Sequence, residues 1–172
     1  MRVDGTSSLV VSSTNASGLT TVLYLRDRVD PSALGEFPPL TPAVRPLPRV
    51  DVPAGAWQEW VADVERAPTA GLLVAPRTPV LAELLERHRC AAADWRDEHD
   101  DDGVIARYRP SWLSPLLAAR GGHGAFACEV LPVRGVWWRD VSPRRVLVSQ
   151  AAYDDHALMD RLWRERIVRL LP

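Results

Sequence analysis

Two apolar runs open the chain. "SLVVSS" (8–13) and "TTVLYLRD" (20–27) are rich in β-branched and aromatic residues and flank "TNASGL", a pattern that predicts a β-hairpin. Periodicity then changes. "AGAWQEWVADVERA" sets Trp57, Trp60, Val61 and Val64 on one face at helical spacing, and "GLLVAP" reads as a short buried strand. Thr78 before Pro79 is a helix-start pair, and Leu81, Leu84, Leu85, His88, Ala92 and Trp95 form one stripe of the helix that follows. "RPSWLSPLLAARGG" predicts a short helix closed by Gly121 and Gly122. "GAFACEVLPV", "GVWWRDV" and "RRVLVSQ" alternate as three strands joined at Arg134-Gly135 and Ser142-Pro143. Leu158, Met159, Leu162, Trp163, Ile167 and Leu170 mark a last amphipathic helix, with ion pairs such as Asp160 and Arg164 at i,i+4 on its outer side.

Between these blocks lies a segment that fits neither period. Residues 31–53 contain seven prolines, which fix φ and remove donors, so an extended arm is expected with at most an edge strand at 47–52. The arm also holds Leu34, Phe37, Leu40, Val44, Leu47 and Val50, which suits a segment laid across the domain. The expected fold is therefore one α+β domain over residues 1–172. Its antiparallel sheet combines the N-terminal hairpin with a three-stranded C-terminal meander, packed by three to four helices.

Composition and charge narrow the function classes. A chain of 172 residues with 47% hydrophobic content can bury a core without disulfide staples, and its two cysteines, Cys90 and Cys128, form no paired motif. The net charge of -1 provides no overall basic field for nucleic acid. Charge is nonetheless divided. Residues 54–103 carry 5 Arg against 11 acids, a net of -6, and residues 104–172 carry 11 Arg against 6 acids, a net of +5. Lysine is absent and Asn and Ile are scarce, a coding bias expected of a high-G+C bacterium. No leader-like or membrane-spanning run stands out, so a soluble cytoplasmic protein is expected.

Candidate chemistry is sparse. "DEHDDD" (97–102) supplies oxygen and imidazole ligands, with His99, Asp100 and Asp102 the best metal candidates, but the calcium-loop spacing fails because its glycine position falls on Asp102 and its twelfth on Tyr108. A solvated helix end accounts for the run, and neither a metal nor a cofactor is expected. His123 in "RGGHGAF" is the best general base, with Glu129 or Asp140 to orient it, although a strand follows the glycines where a phosphate loop would need a helix. These residues define an alternative reading as a small metal-independent enzyme or small-molecule-binding domain.

The leading expectation is a non-enzymatic interaction, regulatory or assembly factor with a protein partner. Trp137 and Trp138 are adjacent in a strand and so face opposite ways, with Arg134, Arg139, Arg144 and Arg145 nearby, the residue types enriched at interface hot spots. A sheet covered on both faces would bury this pair, and a nucleic-acid role for the same residues ranks third because of the acidic middle block.

Overall fold

In the computed structural model, residues 8–69, 71–99, 110–120 and 123–171 are described. The elements are β1 (Ser8–Asn15), α1 (Ser17–Val29), α2 (Ala56–Glu65), α3 (Pro79–His99), α4 (Leu113–Arg120), β2 (His123–Leu131), β3 (Trp138–Ser142), β4 (Arg145–Ser149), α5 (Gln150–Asp154) and α6 (His156–Leu170). They make an α+β fold with one mixed four-stranded sheet and six helices among the described residues. This corrects the expected antiparallel sheet with three to four helices.

The strand order is β1-β2-β4-β3, with β1 parallel to β2, β2 parallel to β4, and only β3 antiparallel to its neighbour. The N-terminal hairpin does not form, because the segment that includes residues 20–27 is α1. Its residues from Gly18 to Asp27 are all buried, so no polar face interrupts the run and the helical period is hidden. A parallel β1–β2 pair also requires a crossover, which α1 begins. The C-terminal meander is corrected as well. β4 passes inside β3 to lie beside β2, leaving β3 at the edge.

Helices cover both faces of the sheet. On one side α1, α2 and α3 pack with Leu131, Val133 and Leu147, and on the other α4, α5 and α6 pack with Phe126, Cys128, Val130, Val146 and Val148. The alternation within β2 and β4 thus feeds two apolar clusters. The entry to α1 is tight. A Cβ on Gly18 would lie 2.5 Å from the Leu72 carbonyl oxygen, a contact only glycine avoids. Residues 71–76 form no strand, and Val74 instead accepts a hydrogen bond from the Trp60 indole at 2.6 Å.

The proline-rich segment is pinned to α1. Arg26 is fully buried and donates to the carbonyl oxygens of Leu34 (3.2 Å), Phe37 (2.8 Å) and Pro38 (3.0 Å), while Asp27 accepts from the Leu40 amide at 2.6 Å. Arg26 Nε also meets Asp27 Oδ1 at 2.5 Å. Leu34, Phe37 and Leu40 enter the core beside α1, and Leu40 bridges to Val133 beyond β2. The possible edge strand at 47–52 does not form. No described helix is long and apolar enough to cross a membrane.

Candidate functional site

β3 and β4 position most of the residues singled out in the sequence. Trp137, just before β3, and Arg139 and Val141 within it face the α1–α3 side, while Trp138 and Asp140 face the side of α6. Trp137 stacks at an angle on Phe37 of the arm, with ring centroids 5.4 Å apart, and its backbone is tied to Ser149. Trp138 is 42% exposed. Coverage of the sheet on both faces does not bury it, because β3 is an edge strand and Trp138 lies outside the apolar cluster below α6.

Two of the four arginines near this hairpin are committed to internal charge pairs. Arg145 grips both carboxylate oxygens of Glu129, which is 1% exposed, and donates through Nη1 to the Glu65 carbonyl at the end of α2. Arg139 lies 2.8 Å from Glu65 Oε2 and 3.1 Å from Glu36, with its guanidinium 4.8 Å above the Phe37 ring. The result is two ion-paired groups, Glu129–Arg145 and Glu65–Arg139–Glu36, joined where Arg145 meets the Glu65 backbone carbonyl, and together they fasten the sheet to α2 and to the arm. Fork-shaped guanidinium contacts with carboxylates suit such burial. Arg134 and Arg144, by contrast, are exposed, and Arg144 reaches back over Gly124, where a Cβ would meet its Nη1 at 2.0 Å.

Burial raises the Glu65 carboxyl above its ordinary value of 4.5, and Arg139 only partly offsets it. Its Oε1 has no hydrogen-bond partner among the described residues. Because the folded state holds this proton more tightly than the unfolded chain does, stability from this group falls as pH rises from 4.5 through the raised value. In urea unfolding at a series of pH values, Glu65→Gln is therefore expected to gain on the wild type as pH increases across that window. A stability difference independent of pH would refute this role for Glu65.

The residues of the enzymatic alternative are not brought together. Glu129 faces α2 and is occupied by Arg145, whereas Asp140 lies on the opposite face in a two-pronged pair with Arg166 of α6 at 2.6 and 2.8 Å. His123 begins β2, in register with Ser8, six residues before Glu129 and so about 20 Å from it along the strand. Of the metal candidates, His99 stacks on Trp95 with ring centroids 4.7 Å apart and places Nδ1 2.6 Å from the Trp95 carbonyl oxygen, while Asp100 and Asp102 lie outside the described residues. Among the described residues no three His, Cys, Asp or Glu side chains converge on a metal position. Burial pushes the Cys128 thiol up to about 12, so it remains protonated and unreactive.

Two open clefts flank the far end of β3. One of about 420 Å³ lies between Val141, Ser142 and the end of α2, with Glu65, Arg66 and Arg145 at its rim. The other, about 620 Å³, lies between Asp140–Pro143 and the last turns of α6, with Glu165, Arg166 and Arg169. Sequence reasoning missed Glu65, Glu36 and Arg166 as partners of the hairpin. One signal for a buried pair was present, since Glu129 stands among apolar residues on both sides within a strand. Neither family models, nor curated proteins, nor solved structures provide a match to this chain.

Proposed function

We propose that the protein is a non-enzymatic interaction or assembly factor in the cytoplasm of a high-G+C bacterium, and that it docks a protein partner on the outer side of β3. One observation carries this reading. Trp138 stands 42% exposed on an edge strand while Trp137, the adjacent residue, is used in the core. A large amphipathic ring left on the rim of a sheet is the kind of anchor that dominates interface energetics. Arg134, in the loop before this strand, and Arg144, in the turn after it, are exposed as well, although the Arg144 side chain leans back over Gly124 of β2. Arg139, Arg145 and Trp137, in contrast, hold the hairpin in place.

Affinity capture with wild type and Trp138→Ala tests this directly. The variant is expected to keep its fold and to weaken partner binding by at least about 2 kcal/mol, roughly thirtyfold in Kd. The double variant Arg134→Ala/Arg144→Ala is expected to reduce capture mainly at low salt, as exposed charges do. Equal recovery of the same partner by wild type and Trp138→Ala would refute the proposal.

A further inference from the structure

β1 ends the sheet on the side away from β3, and it carries none of the features that guard an edge against pairing. Its eight residues, "SLVVSSTN", include no charge, proline or glycine, and its register with β2 runs without a shift. β3 is guarded by comparison. It has five residues, carries Arg139 and Asp140, and slips register between Asp140 and Ser142. The Ala16 amide donates to the Val130 carbonyl oxygen at 2.9 Å, which sets the parity of the β1–β2 ladder. Because backbone groups alternate in direction, Val10, Ser12 and Thr14 bond to β2, while Leu9, Val11 and Ser13 turn N–H and C=O to the outer side. Among the described residues no hydrogen bond reaches these three. The Asn15 carbonyl points the same way but is faced by Gly71, where a Cβ would stand 3.3 Å from it. On the α1–α3 side the covering helices stop short of this strand, since Val10 is 61% exposed.

We propose that the outer edge of β1 pairs antiparallel with β1 of a second copy, about a two-fold axis through Val11, so that one sheet runs through the dimer. This surface is separate from the docking face on β3 and independent of it. Parity and symmetry select the occupant. The outward residues Leu9, Val11 and Ser13 are centred on Val11, so a second copy sets Leu9 against Ser13, Val11 against Val11 and Ser13 against Leu9, each pair exchanging both backbone bonds. An axis through Ser12 would instead set Leu9 against Asn15, whose carbonyl is already faced by Gly71. Between the bonded pairs Val10 stands directly opposite Ser12 of the second copy, in the closer, non-hydrogen-bonded position, which covers part of its exposed side chain. No like charges meet, because the strand has none, whereas a charged foreign strand would find no complement along it. A closed two-fold contact also removes the unguarded edge from solution.

Sedimentation velocity of the intact protein over a wide range of concentrations measures the association, and hydrogen exchange followed by NMR locates it. A concentration-dependent dimer is expected. Protection rises with concentration at the Val11 and Ser13 amides and stays unchanged at Val10 and Ser12, which already bond to β2. Two double variants test the register. Val10→Lys/Ser12→Lys places like charges directly opposite at both symmetry-related pairs and is expected to raise the dimer dissociation constant at least about tenfold. Val10→Lys/Ser12→Glu places opposite charges there and is expected to bring the constant back to within about threefold of wild type. Val10 is exposed and Ser12 half-buried, so circular dichroism is expected to show the fold kept in both. The exchange pattern of the wild type stands as a test whether or not a variant folds. A wild type that is monomeric throughout, protection that grows at Trp138 and Asp140 in place of Val11 and Ser13, or a Lys/Glu variant as dissociated as the Lys/Lys one would overturn the proposal. So would Val11 and Ser13 amides protected equally at every concentration, because the edge would then be closed within one chain.

Discussion

Replacing Arg26 with leucine is expected to cost about 3–5 kcal/mol of folding stability. The side chain is completely buried, and it serves three carbonyl oxygens of the arm and the carboxylate of Asp27. Leucine leaves Asp27 without its counter-charge and the carbonyls of Leu34, Phe37 and Pro38 without a donor, and a buried polar group left unmade is costly whichever side loses its partner. The loss is large against the roughly 5–15 kcal/mol that holds a typical domain together. Arg26→Lys is expected to fall between, because a single ammonium keeps the charge but cannot fork to three acceptors. Urea unfolding monitored by tryptophan fluorescence checks the order wild type, lysine, leucine. A leucine variant within about 1 kcal/mol of wild type, the range of an ordinary surface change, would show that the clasp is dispensable.

Glu129→Ala is expected to be comparably damaging, again about 3–5 kcal/mol, because it strands the Arg145 guanidinium between the sheet and α2. The informative comparison is the double variant Glu129→Met/Arg145→Leu, which removes both charges and fills their space. It is expected to recover most of the loss, since a buried ion pair is often worth little more than well-packed apolar side chains. Recovery should stop short by about 1 kcal/mol, because the Glu65 carbonyl at the end of α2 also loses the donor it receives from Arg145 Nη1. Thermal and urea unfolding of the two variants side by side measure this. A double variant no more stable than Glu129→Ala would mean that the pair does more than neutralise itself.

Much of the local structure was legible in the residue pattern, but the order in space was not. The stripe Trp57, Trp60, Val61 and Val64 corresponds to α2, and each of these side chains is buried. The stripe ending at Trp95 corresponds to α3, which starts at Pro79. The segment 20–27 carries no helical signature because a helix enclosed on all sides shows no polar face, and "TTVLYL" satisfies strand propensity equally well. The strand order departs from the sequential expectation for a different reason. Short turns at Arg134-Gly135 and Ser142-Pro143 favour sequential neighbours, yet β4 has Val146, Leu147 and Val148 all buried, the mark of an interior strand, while β3 alternates between exposed and half-buried positions along its length. That contrast was available in "RVLVS" and "WRDVS" and places β4 inside β3.

The candidate site was legible in residue type and not in role. Trp and Arg side chains do cluster on the hairpin, but alternation alone cannot say which face another element will occupy. Arg139 and Arg145 looked like surface groups because their partners, Glu36, Glu65 and Glu129, come from the arm, α2 and a strand distant in sequence. Only pairing geometry separates them from Arg134 and Arg144.

The register that joins β1 to β2, from Ser8 opposite His123 to Asn15 opposite Val130, also sets an order of events during synthesis. The bonds from Arg26 to the arm close within 12 residues, so the partners of the clasp are synthesised together. β1 is an edge strand whose one neighbour in the sheet emerges much later, and at a translation rate of roughly 5–20 residues per second it waits about 6–23 seconds for that neighbour. Closing so long a loop adds little to the equilibrium cost, which grows only with the logarithm of length, but it delays folding. While the ribosome is still extending the chain, the N-terminal strand of a half-made molecule is an unpaired edge with Val10 and Val11 on it, and that is when the nascent protein most needs shelter from its neighbours.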